Sequence, residues 1–222
     1  MKRNILSCII LVFTINYLPA FGLFMEGGVG IDTDQNVGLG YVVDSKGVYT
    51  GVGVGMIFGK YGSSNFLVTL GINIDFLIKP EIGFVRGEER YEVQNLADSA
   101  SLRIMPFIGI SRNVVSDWLY MGFGLGYSNT DLYFGMRPLI YDKEYTSYRL
   151  SSNAITPAFF LRAYTVAGLY FSMSYEADLV DNGEIKRLAG DPLMSFNNID
   201  GSKDIKGVHH RARLVIGYIL GF

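Results

Sequence analysis

The side chains that could do chemistry fall into four groups. The first is a set of isolated charges: Glu26, Asp32, Asp75, Arg103, Arg162, Glu176, Arg211 and Arg213. Each stands among small or apolar residues, and both signs occur. Carboxylates and guanidinium groups in such surroundings must pair or stay wet, because an unpaired buried ion is costly. They therefore read either as a structural charge network or as the lining of a passage for small solutes. The second group is the pair His209 and His210, the only histidines. Neighbours on a strand point to opposite faces, so the two cannot ligate one metal from one face. Ala212 stands where a nucleophile two residues on would be needed, so no catalytic pair forms there and the chain does not read as an enzyme.

The third group is Gly51-Val52-Gly53-Val54-Gly55. It lacks the later glycine or Gly-Lys-Ser/Thr of a phosphate loop, and no helix follows it. The fourth is the segment 129–155, where Tyr133, Phe134, Tyr141, Tyr145 and Tyr148 mix with Arg137, Lys143 and Arg149. Tyrosine and arginine are favoured at binding hot spots. Tyr133, Tyr141, Tyr145 and Tyr148 are thus candidates for contacting a host or small ligand. The same residues equally suit a self-packed loop on strands that continue above a membrane. No cofactor or metal site is expected.

The elements that must position these groups are strands. Leu119, Met121, Phe123, Leu125 and Tyr127 alternate with Tyr120, Gly122, Gly124, Gly126 and Ser128. Leu169, Phe171, Met173, Tyr175 and Ala177 alternate with Tyr170, Ser172, Ser174 and Glu176. The same holds from Phe66 to Asp75 and from Ser101 to Ile110. This period of two puts bulky apolar residues on one face. The other face carries Gly, Ser, Tyr and single charges, which suit a narrow interior better than a solvated surface. Apolar residues turned to lipid, around a small polar interior, are the pattern of a transmembrane β-barrel.

We read ten strands: Leu23–Asp32, Asn36–Val43, Val48–Phe58, Asn65–Ile74, Glu81–Tyr91, Ala100–Ser111, Asp117–Ser128, Thr156–Tyr164, Ala167–Asp178 and Gly207–Phe222. The alternative is eight, if residues 23–43 or 65–91 run through as single long strands. Short links (Asp44 to Lys46, Leu77 to Pro80, Arg112 to Ser116, and Thr165-Val166) are expected at the periplasmic end. Long ones (129–155 and 179–206) are expected outside. Trp118, Tyr164 and Tyr218 are expected to form a periplasmic aromatic girdle. Glu176 and Arg211 should reach similar heights on neighbouring strands. The inward glycines, Gly28, Gly30, Gly51, Gly53, Gly55, Gly122, Gly124 and Gly126, thin the lining and favour a passage. Pro106 falls in mid-strand on the lipid face, where it must interrupt the ladder; Pro157 is placed at a strand start.

Lys2 and Arg3, the apolar run from Ile5 to Phe13, and Ala20 with Gly22 form a secretory signal, with cleavage expected after Gly22 or Ala20. Residues 1–22 are then the signal peptide and 23–222 the barrel. Its removal takes away Cys8, the one cysteine, so the mature chain has no thiol or disulfide. The whole chain has 19 basic and 21 acidic residues, a formal net charge of -2, which argues against a nucleic-acid partner. Hydrophobic residues at 49% with only 18% charged exclude a disordered chain.

The last residues, Gly217-Tyr218-Ile219-Leu220-Gly221-Phe222, follow alternating apolar positions at Leu214, Ile216, Tyr218 and Leu220. This resembles the terminal strand of bacterial outer-membrane barrels, with its Gly-x-x-apolar-x-apolar signature at Gly217, Leu220 and Phe222. Val215 stands where that family usually has a polar residue. The mature chain looks like the small barrels of the OmpA, OmpX and OmpW kind, and its composition is similar to that of spirochaetal outer-membrane barrels. The resemblance implies export to the outer membrane, a lipid bilayer as surroundings and recognition by the barrel-assembly machinery. The function that follows is a small porin-like channel or a non-conducting structural or adhesive barrel.

Overall fold

A computed structural model describes residues 21–38, 41–60, 62–86, 89–95, 101–115, 118–138, 146–165, 167–189 and 205–221. The signal segment lies outside these, apart from Phe21 and Gly22, which open the first strand. The described residues form nine strands: β1 (Phe21–Gly38), β2 (Tyr41–Phe58), β3 (Phe66–Arg86), β4 (Glu89–Asn95), β5 (Ser101–Val115), β6 (Leu119–Pro138), β7 (Thr146–Tyr164), β8 (Leu169–Ala189) and β9 (Ile205–Leu220). All pairings are antiparallel, and β1 meets β9, so the sheet closes on itself.

β4 and β5 follow one another in a single slot between β3 and β6. A row of paired residues starts at Asp131 and runs through Leu102, Phe76, Thr50, Val29, Leu214, Met173 and Leu161. It returns to β6 at Met121, ten residues below its start. The ring thus has eight positions at membrane level and a stagger of ten residues, which goes with a strand tilt of roughly 35–45°. Residues 23–43 are divided between β1 and β2, and 65–91 between β3 and β4. Asn36–Val43 is shared between β1 and β2 across their hairpin rather than forming a strand of its own.

Alternation sets which face is which. Phe123, Leu125, Val29, Ile31, Leu214 and Ile216 face outward and are exposed. From Leu119 to Tyr127 the outward apolar run is about nine residues, which at ~3.3 Å rise and ~40° tilt covers ~23 Å. Trp118 and Tyr218 stand exposed at the end that holds both described termini, as a girdle requires, but Tyr164 is buried inside. Above the band the strands continue, so much of 129–155 and 179–206 is β-structure and not loop. Asp44 to Lys46 and Leu77 to Pro80 likewise lie within β2 and β3. A bulge between Lys46 and Val48 accounts for the break in their pattern.

Both prolines sit in mid-strand on the outer face. The ladder with β3 runs through Pro106, while the pairs with β6 pass from Ile104 to Phe107 without it. Pro157 pairs with Leu125 of β6, while the pairs with β8 pass from Ile155 to Ala158. Each ring replaces the N–H on the side where the ladder is interrupted, and the register on either side is unchanged. Pro157 is therefore not at a strand start.

Candidate functional site: the barrel interior

All eight charges singled out in the sequence point into the barrel and are buried. They come from β1, β3, β5, β7, β8 and β9, because an inward residue recurs at every second position of each strand.

Arg103 on β5 is the hub. Its Nε and Nη2 donate to Asp178 at 3.1 and 2.8 Å, a bidentate contact, and its Nη1 donates to Asp75 at 2.9 Å. Nη1 also lies 2.8 Å from Glu176 as an ion pair without hydrogen-bond geometry. Asp178 accepts in addition from Arg211 and, at 2.5 Å, from Thr156. Arg211 reaches Asp32, with Nε 3.0 Å from Oδ1. Glu176 and Arg211 are register partners, as their expected heights require, but the ion pairs described for Arg211 go to Asp32 and Asp178. Asp178, the centre of the knot, is missed by the sequence reading, which ends the strand at that residue. Its position two residues after Glu176 on the same face is the available signal.

A second group lies nearer the end that holds both described termini. Glu26 accepts from the Tyr170 hydroxyl at 2.6 Å and has Arg213 and Arg162 at 3.7 and 3.8 Å. The Arg162 guanidinium is 4.8 Å from the ring centre of Tyr170 and 5.2 Å from that of Phe160, within cation–π range. Below it Phe24, Ile57, Leu67, Tyr120, Tyr164, Tyr170, Val215 and Ile219 form one apolar cluster. Tyr120 donates across the barrel end to the Ser64 carbonyl at 2.9 Å.

Toward the outside, Val43, Leu132, Phe134, Met136, Tyr148, Leu150, Ile185 and Ile205 form a third cluster. Tyr148 is 1% exposed and stacks on Phe134 at 5.9 Å, so it is core and not part of a binding surface. Tyr133 faces outward and is half-buried, while Tyr141 and Tyr145 lie outside the described residues. His209 points inward, its Nε2–H donating to Asn36 Oδ1 at 2.9 Å. His210 points outward, stacked on Tyr175 with a 2.6 Å bond between the hydroxyl and Nδ1.

Large side chains cover several of the inward glycines. The site of a Cβ on Gly30 is taken by the Tyr49 ring, that on Gly55 by Phe24, that on Gly122 by Phe160 and that on Gly126 by Met105. The glycine and the large side chain opposite it fill one layer together. Small cavities of mixed polar and apolar lining lie between the layers. One of about 40 Å³ is set among Glu26, Asn73, Arg162, Glu176 and Arg213. Another, about 20 Å³, is set among Asp32, Tyr49, Asp75, Arg103 and Arg211. Each is the size of one or a few waters. Of the assembly-signature residues, Gly217 faces inward, Leu220 outward at 52% exposure, and Phe222 lies outside the described residues. The glycine run Gly51 to Gly55 is a straight part of β2.

A closed antiparallel ring, an apolar outer band and a polar, side-chain-filled interior together decide the architecture. This chain has the fold of a small bacterial outer-membrane β-barrel. No family model and no curated protein matches its sequence. Solved structures resemble it in fold. A major outer membrane protein from Thermus thermophilus superposes with a TM-score of 0.50 at 11% identity, covering 90% of this chain and 100% of the other. Ail, the attachment invasion locus protein of Yersinia pestis, gives 0.42 at 12% identity, covering 89% and 98%. The outer membrane protease OmpT of Escherichia coli gives 0.39 at 10% identity, covering 92% and 97%. The compositional likeness to spirochaetal barrels finds no support among these. At 11% identity the likeness to the Thermus thermophilus protein speaks for the fold alone.

Proposed function

We propose that this barrel is a non-conducting surface protein that holds a β-structured extension outside the membrane. The observation that carries the reading is the filling of the interior at three successive levels: an aromatic cluster, the Arg103 ion knot, and an apolar cluster above it. Eight-stranded barrels of this kind are filled by their own side chains. Partners would then be met by the extension and the segments joining its strands, with Tyr133, Tyr141 and Tyr145 as contact candidates. Insertion into planar bilayers tests it. Verified insertion without current steps is expected; regular conductance steps from the wild-type protein would rule the reading out.

The second reading is a porin-like channel for small solutes. Two small cavities, one beside Glu26, Arg162 and Arg213 and one beside Arg103 and Arg211, favour it. On that reading, neutralising Arg211 changes conductance or ion selectivity; on the first it changes stability alone. For assembly, we propose that Gly217, Leu220 and Phe222 carry the contact with the barrel-assembly machinery. Replacing Phe222 by a polar residue is then expected to slow insertion in a reconstituted assembly assay without changing the folded barrel. The signal peptide belongs to the same proposal, and the mature N-terminus identifies the cleavage site.

A further inference from the structure

On β6 and β7 the outer face changes from apolar to polar through uncharged residues, Tyr127 to Asn129 and Ile155 to Asn153. On β2 and β3 the change is made by an ion pair. Lys46 Nζ lies 3.0 Å from Glu81 Oε2, with the two side chains 68% and 76% exposed. Thr33 is the register partner of Lys46 on the other side, giving a polar row Thr33–Lys46–Glu81 across β1, β2 and β3. The next outward row toward the bilayer centre is Ile31–Val48–Ile78, all exposed. The register shift between Lys46 and Val48 falls between the two rows. Bulges re-aim side chains and loosen the ladder locally. Here the shift coincides with an open groove on the outer face whose lining includes all six of these residues.

We infer that this groove is a binding site for one phospholipid bearing a phosphoethanolamine headgroup, in the leaflet away from the termini. The chemistry is complementary in both charge and order. The lipid phosphate accepts hydrogen bonds from the Lys46 ammonium and the Thr33 hydroxyl. The lipid ammonium donates to the Glu81 carboxylate. The acyl chains lie on Ile31, Val48 and Ile78. An exposed ammonium–carboxylate pair gains little from its own attraction in water. Exchanging it for two pairs with a zwitterion keeps every charge matched. An anionic headgroup would leave Glu81 facing a like charge, and a trimethylated amine has no N–H to give it. The inference is independent of whether the barrel conducts.

The test is native mass spectrometry of the full-length barrel released from nanodiscs of mixed composition. The discs contain phosphatidylethanolamine, phosphatidylcholine and phosphatidylglycerol with identical chains. The expected result is retention of one phosphatidylethanolamine over either competitor by about fivefold, the effect of ~1 kcal/mol from two exposed charge contacts. Lys46→Ala and Glu81→Gln should each reduce that preference to near unity. Both positions face outward, so heat-modifiable migration on a gel verifies that each variant is folded. Equal retention of phosphatidylglycerol, or a preference unchanged in both variants, overturns the inference. So does retention of lipopolysaccharide in place of phosphatidylethanolamine when both are offered.

Discussion

Gly217 on β9 and Tyr170 on β8 are register partners, and the phenol ring of Tyr170 covers the glycine where a side chain would begin. The ring can lie flat against the strand only because no Cβ stands there, and from that position its hydroxyl reaches Glu26. The glycine of the terminal strand thus seats the aromatic cluster at the end that holds both described termini.

Gly217→Val should therefore push the ring out of place and cost about 1–3 kcal/mol, as overpacking does. The loss is read as a lower temperature for the folded-to-unfolded shift on a semi-native gel. Gly27 faces outward with nothing within 4 Å of a built Cβ. Gly27→Val should leave that temperature unchanged, and an equal loss at both positions would contradict the assignment of faces.

Arg103→Met removes the one cation that, among the described residues, touches Asp75, Glu176 and Asp178 together. Three carboxylates are left with a smaller share of positive charge, and breaking such a buried group costs about 3–5 kcal/mol. Urea unfolding of the detergent-solubilised barrel measures it. A change under ~1 kcal/mol, the range of a solvent-screened pair, would mean that water already screens the knot.

Tyr148→Ala should destabilise the barrel by about 3–5 kcal/mol, since it empties a stacked site in the outer apolar cluster. Tyr133→Ala, on the outer face of β6, should cost far less. If the extension meets a partner, the second variant weakens binding and the first weakens folding.

Trp118 is the only tryptophan and stands exposed just before β6, at the end that holds both described termini. In bilayers its fluorescence should be quenched more by lipids brominated near the headgroup than by lipids brominated near the chain ends. The opposite order would put the band at the wrong height.

How far the sequence carried can be judged from particular residues. Alternation alone placed Phe123, Leu125, Leu214 and Ile216 outward and all eight candidate charges inward, because the direction of a strand side chain depends only on its position's parity. Closure, and with it the membrane-barrel fold, was legible for the same reason. Parity says nothing of which residue lies across the ring. That Gly30 is covered by Tyr49 and that Arg103 meets Asp178 depend on pairings between distant segments and on the ten-residue stagger. The count of eight positions at membrane level rests on β4 and β5 sharing one slot between β3 and β6, which no local pattern shows. The physical reason is that local alternation is set by each strand's own backbone, whereas register is set by many weak contacts that exist only once the sheet has closed.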